Sequence, residues 1–266
     1  MSIVERMAHI DGVLFDIDGV LVTSWHAIEG AAETVQTVGD AGYKCGFLTS
    51  TTSLTRELIA AKLRKLGIPA ETEDIVTAAH LTAEYIRENY PRARCWVLNH
   101  GDVFIDMDEV TWSSKDPDVI VLGGAGPEYS HENLSRVVQL MVDGVPVVAM
   151  HRGLTWATNS GLKLDVGAYI PGLEAAGNSA ITVVGKPSQH AFDTAAQALG
   201  IAPKNTMMVG DDLINDVLAS QAAGMRGVLV RTGKFHAPQL EGSKTKPHHV
   251  IDSVSDLPGV LGLTQD

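Results

Sequence analysis

Two aspartates one residue apart, Asp16 and Asp18, close the apolar run Val13-Leu14-Phe15 and lead straight into Gly19. An apolar run that ends in a turn residue is how a buried strand delivers side chains to the rim of a sheet. Two like charges delivered there need a cation or a hydrogen-bond network around them. Taken alone, the stretch fits a simple turn equally well. Three later runs change the balance, because each also ends in a reactive polar group. Residues 43–48 run into Thr49-Ser50, residues 181–185 into Lys186, and residues 207–210 into Asp211-Asp212, with Asp216 four positions further on. In an open parallel sheet such strand ends line one crevice at the carboxyl edge.

Asp16, Asp18, Asp211, Asp212 and Asp216 cannot all be ionised in one crevice without a compensating cation. Oxygen ligands of this kind suit a hard ion such as Mg2+, which is commonly shared between a few carboxylates and a substrate phosphate. Lys186 adds a fixed positive charge. The hydroxyl-rich stretch Thr49-Ser50-Thr51-Thr52-Ser53 precedes a helix, so its residues either cap that helix or bind an anion together with its free N–H groups. Cation, lysine and hydrogen-bond donors around a carboxylate describe a site for phosphoryl groups.

The elements that must position these groups alternate. Helical patterns over 27–41, 54–66, 74–89, 131–142, 188–199 and 217–223 separate apolar strand-like runs at 95–98, 119–122, 145–149, 181–185, 207–210 and 227–230. That alternation predicts an α/β fold: a Rossmann-like parallel-sheet core domain formed by 1–79 and 180–266, with an α/β cap domain inserted at 80–179. The run at 181–185 is expected to resume the first strand series. Gly123-Gly124-Ala125-Gly126 lacks the third glycine and the immediate helix of a dinucleotide-binding turn, so it is expected to be a turn inside the insertion. His248-His249 is expected to lie in a polar loop rather than at a metal site.

The chain has 266 residues, of which 20 are basic and 32 acidic, for a net charge of −12. Its overall field repels phosphate backbones and anionic lipid, which argues against nucleic-acid and membrane partners; an anionic substrate must be drawn by local groups. Cys45 and Cys95 lie in apolar runs and read as buried thiols rather than a bridge framework. With no leader-like apolar core at residues 1–10 and no apolar stretch of membrane-spanning length, a cytoplasmic protein is expected.

Asp16-Ile17-Asp18-Gly19-Val20-Leu21, Thr49-Ser50, Lys186-Pro187 and Gly210-Asp211-Asp212-Leu213-Ile214-Asn215-Asp216 resemble, in order, the four motifs of the haloacid dehalogenase superfamily of phosphatases. An insertion between the second and third motifs resembles the class with a C2 cap, the 4-nitrophenylphosphatase-like class IIA. Within it, His151-Arg152-Gly153, Gly167-Ala168-Tyr169, Val184-Gly185-Lys186-Pro187 and Arg231-Thr232-Gly233-Lys234 are similar to the phospholysine phosphohistidine inorganic pyrophosphate phosphatase group. Two positions depart: Ser50 stands where many class members carry Asn, and Asp18 is retained where the finer group can have Ser.

The resemblance implies a magnesium-dependent phosphatase acting on small phosphorylated molecules through an aspartyl phosphate. Asp16 would be the nucleophile and Asp18 the general acid and base. Lys186, Thr49 and Ser50 would hold phosphoryl oxygens. Asp16, Asp211 and the main-chain carbonyl of Asp18 would hold the metal, with Asp216 and Asp212 supporting them from behind. His151 and Arg152, in the cap, are candidates for substrate contact or else a solvated turn, and cap-mediated homodimers occur in the family. A phosphomutase of the same superfamily, or a phosphate-binding protein that kept the fold without catalysis, are the alternatives.

Overall fold

Gly12–Phe15 is buried along its whole length because it lies inside a sheet and is covered on both faces. The computed structural model describes residues 9–158 and 161–264, and within it the chain divides into two compact units. The first comprises 1–49, 56–76 and 192–266; the second comprises 50–55 and 77–191.

In the first unit a six-stranded sheet runs in the order His249–Ile251, Arg226–Val230, Thr206–Gly210, Gly12–Phe15, Lys44–Thr49, Ile75–Thr77. Gly12–Phe15 pairs in parallel on both sides, with Phe15 opposite Val209 and opposite Phe47. One step further along, Asp16 is therefore level with Gly210 and Leu48, and Asp211 and Thr49 follow immediately. This register, with strands about 4.8 Å apart, is what gathers polar groups that lie far apart in the chain. Helix Ala31–Asp40 turns Ala31, Thr34, Val35 and Val38 inward, and helix Arg56–Lys65 does the same with Ile59, Ala60 and Leu63. After Gly210 the chain enters a π-helical turn, Leu213–Leu218, before the short helix Ala219–Ala222.

The second unit has its own parallel sheet, ordered Thr182–Val183, Val147–Ala149, Val119–Leu122, Arg94–Leu98, Thr111–Trp112. Helices His131–Val142 and Val166–Gly177 cover one face, burying Val137, Met141, Ile170 and Leu173 with Trp96, Ile120 and Leu122 of the strands. Thr155–Thr158 and Gly161–Leu164 form an antiparallel hairpin.

Three expectations are corrected. The strand before Lys186 does not resume the first series: Thr182 pairs with Val148 and Val183 with Ala149 in the second sheet. A short run of β-branched residues suits either sheet, and nothing local chooses between them. The helical pattern at 74–89 hides the strand Ile75–Thr77, the helix proper being Ala78–Asn89 with Thr77 as its N-cap, its hydroxyl accepting from the His80 amide at 3.1 Å. His249 lies in the edge strand His249–Ile251 rather than in a loop, and His248 Nδ1 accepts from the Gly227 amide at 3.0 Å. Their polarity is tolerated because an edge strand is half open to water.

Candidate active site

Asp16, Asp211 and Asp216 are 4%, 1% and 2% exposed. Their carboxylate oxygens lie within 4.8 Å of one another. The register of the two central strands supplies the first two. Asp216 comes from the π-turn: Val217 N–H donates to the Asp212 carbonyl at 3.2 Å across five residues, and this wider turn lets the Asp216 carboxylate fold back to accept from the Asp212 amide at 3.1 Å. Asp212 points elsewhere. Its oxygens accept from the Ile214 and Asn215 amides at 3.0 and 2.9 Å and from the Asn215 side chain at 2.7 Å, which makes it the cap of that turn.

Asp211 is the group under most stress. Its Oδ1 is buried with no hydrogen-bond partner. Its Oδ2 accepts from the Lys234 amide at 2.7 Å. Burial first, then the charges of Asp16 and Asp216, push its pKa up to about 8, and Lys234 only partly opposes them. The walls around it are glycines. A Cβ built at Gly19 or Gly233, both at positive φ, would come to 1.9 or 2.0 Å from Asp211 Oδ2. The Thr232 hydroxyl donates to the Gly19 carbonyl and so ties the two glycine turns together. Asp18, two residues after Asp16, is exposed, and Thr49 is buried at the end of the neighbouring strand.

Sequence reasoning expected Asp216 to orient the ligands from behind, and its carboxylate lies in the same cluster as those of Asp16 and Asp211. Thr232, Gly233 and Lys234 entered only through the family resemblance and were given no place at the site, although a glycine three residues after the strand Arg226–Val230 was a usable signal. Ser50 and Lys186 belong to the second unit, with His151 and Arg152. Lys186 is buried, at the turn after Thr182–Val183, and its carbonyl accepts from the Arg152 amide at 3.3 Å. The shared-sheet argument for bringing Lys186 beside Asp16 therefore does not hold. His151 is 2% exposed, which excludes a solvated turn. Arg152 is exposed, its guanidinium 3.6 Å from Glu174.

A buried, partnerless oxygen among three close carboxylates is the arrangement a hard divalent cation satisfies, so the residues fit a metal site. Among the described residues, no helix is long and apolar enough to cross a membrane.

Comparison with known proteins agrees with this geometry. Residues 13–115 match the family of haloacid dehalogenase-like hydrolases, and residues 183–257 match a second, HAD-hydrolase-like family. The chain is 35% identical over 260 residues to the phospholysine phosphohistidine inorganic pyrophosphate phosphatase of Danio rerio, covering 96% of this chain and 95% of that one. Among solved structures, the 4-nitrophenylphosphatase of Thermotoga maritima superposes with a TM-score of 0.86 at 25% identity, covering 94% of this chain and 97% of that one. NagD of E. coli K-12 does so with 0.83 at 25% identity, covering 93% and 98%. Four spaced motifs, a buried carboxylate cluster at the carboxyl edge of a parallel sheet and near-complete coverage by these relatives converge on one assignment: the chain belongs to the haloacid dehalogenase-like hydrolases and is a phosphatase of their class IIA.

Proposed function

We propose that this phosphatase is magnesium-dependent, works through an aspartyl phosphate and hydrolyses small phosphorylated metabolites. Phosphomonoesters come first, and the names of its relatives add phosphoramidates and pyrophosphate as candidates. The observation that carries the reading is the buried Asp211 oxygen left without a partner beside Asp16 and Asp216. Asp16, Asp211 and the main-chain carbonyl of Asp18 would hold the ion, and Asp216, anchored on the Asp212 amide, would orient them. When bound, magnesium would neutralise the cluster and draw charge from the phosphoryl oxygens.

The chain's own residues then divide the work. A carboxylate oxygen of Asp16 attacks phosphorus as the bond to the leaving oxygen breaks, and the carboxyl of Asp18 gives that oxygen its proton. Asp18, now ionised and open to solvent, takes a proton from the water that attacks the acyl phosphate. Inorganic phosphate leaves and both aspartates return to their starting states. Thr49, Ser50 and Lys186 would hold the equatorial oxygens as charge builds on them. Arg152 would contact substrate at its distal end, with His151 holding the segment that carries Arg152.

Turnover of 4-nitrophenyl phosphate with and without magnesium tests this, repeated with Asp16→Asn. The reading expects metal-dependent release of nitrophenolate that falls by at least about a thousandfold in the variant. Equal turnover by Asp16→Asn would remove the aspartyl phosphate from the mechanism.

A further inference from the structure

The segment Met150-His151-Arg152-Gly153 continues from the strand Val147–Ala149, and hydrogen bonds hold it on two sides. On one side the parallel ladder runs past the strand ends: the Val184 amide donates to the Ala149 carbonyl at 2.9 Å, the Gly185 amide to the Met150 carbonyl at 2.9 Å, and the Arg152 amide to the Lys186 carbonyl at 3.3 Å. On the other side stands Asp165, the N-cap of helix Val166–Gly177. Asp165 Oδ1 accepts from the Val166 amide at 2.8 Å and from the Ala125 amide at 3.1 Å, and Oδ2 lies 3.7 Å from His151 Nε2. His151 Nδ1 accepts the Gly153 amide at 3.1 Å, which places the ring proton on Nε2, facing the Asp165 carboxylate. The Gly167 amide donates to the Gly153 carbonyl at 2.9 Å.

Two glycines close the contact until nothing can give. A Cβ at Gly185 would come to 2.2 Å from the Met150 carbonyl oxygen, and a Cβ at Gly167 to 2.2 Å from that of Arg152. The backbone of residues 150–152 is thus held at van der Waals contact between the Lys186 turn and the start of the Val166–Gly177 helix. Close-packed groups transmit a displacement rather than absorb it.

We propose that Asp165 is a positioning residue for Lys186: its carboxylate fixes the His151 ring, the ring fixes the 150–152 backbone, and that backbone sets the Lys186 turn. The proposal rests on the reading of Lys186 as the cation that holds the phosphoryl group. His151 then acts as a strut, and its burial serves the turn instead of a substrate.

A double-mutant cycle tests the coupling. Asp165→Asn keeps an oxygen to cap the helix but sets an uncharged amide against the His151 N–H. Asp165→Ser keeps a capping hydroxyl too short to reach the ring, and serves if the first variant does not fold. Each is combined with Lys186→Ala, and kcat/KM for 4-nitrophenyl phosphate is measured alongside the thermal midpoint and the affinity for inorganic phosphate. The expected result is a loss of about tenfold in kcat/KM and in phosphate affinity when Lys186 is present, shrinking to less than about twofold in the Lys186→Ala background. An equal loss in both backgrounds, or a lowered midpoint with catalysis intact, would show that Asp165 only caps its helix and would overturn the proposal. Full activity of Lys186→Ala alone would instead remove the role given to Lys186, a separate and recognisable failure.

Discussion

The carboxyl edges of the two sheets hold the same kinds of side chain and treat them in opposite ways. At the first, Asp16, Asp211 and Asp216 crowd together under burial, and one Asp211 oxygen has no partner. At the second, Asp165 is also buried, yet one of its oxygens accepts two amides and the other faces an imidazole. A buried polar group that is answered by its neighbours belongs to the architecture, whereas one left unanswered beside two further carboxylates calls for a partner from outside the chain. Burial alone did not separate these cases; partner count did.

The largest effect should come from relieving the crowded site. Asp211→Asn removes a buried charge, so metal-free protein near pH 8 should unfold at a higher temperature than wild type. Its turnover should nonetheless drop by more than about a hundredfold, the loss seen when even an outer partner of a metal is removed. A lower midpoint would mean that the cluster is not under repulsion, and the contrast between the two edges would collapse. Gly233→Ala comes next. It places a methyl group where the Asp211 carboxylate sits, at a positive φ, and should cost about 2 kcal/mol in chemical denaturation as well as most of the turnover.

The pH dependence sharpens the same comparison. An acid whose pKa rises from near 4 to about 8 on folding binds more protons folded than unfolded between those values. Its contribution to stability is therefore full below about pH 4 and is lost as pH climbs through about 8. Magnesium competes with that proton, so the gain in midpoint from added magnesium should be larger near pH 8.5 than near pH 6.5. A gain independent of pH would contradict the raised Asp211. The smallest effect is expected at Asp212→Ala, which removes the cap of the Leu213–Leu218 turn and should cost about 1 kcal/mol on denaturant titration.

Much of this was legible without coordinates. Asp16, Asp211 and Thr49 could be placed at strand ends because an apolar run stopping at a polar group is a local signal, and helix 131–142 could be recognised because its apolar residues recur at helical spacing. Other features depended on pairing partners that no local pattern names. The valines before Lys186 could have joined either sheet, and the strand Ile75–Thr77 was hidden by the helix that follows it without a break.

The amino-acid order by itself determined which groups are reactive and that they sit where strands end, since hydrophobic periodicity and turn residues act over a few positions. Only the tertiary structure decided which of them meet. The π-turn swung Asp216 into the cluster, the Gly19 and Gly233 turns closed around Asp211, and the second sheet claimed the strand that leads to Lys186. Register, burial and the satisfaction of each oxygen are properties of neighbours brought together from distant parts of the chain, and they exist only once those neighbours have packed.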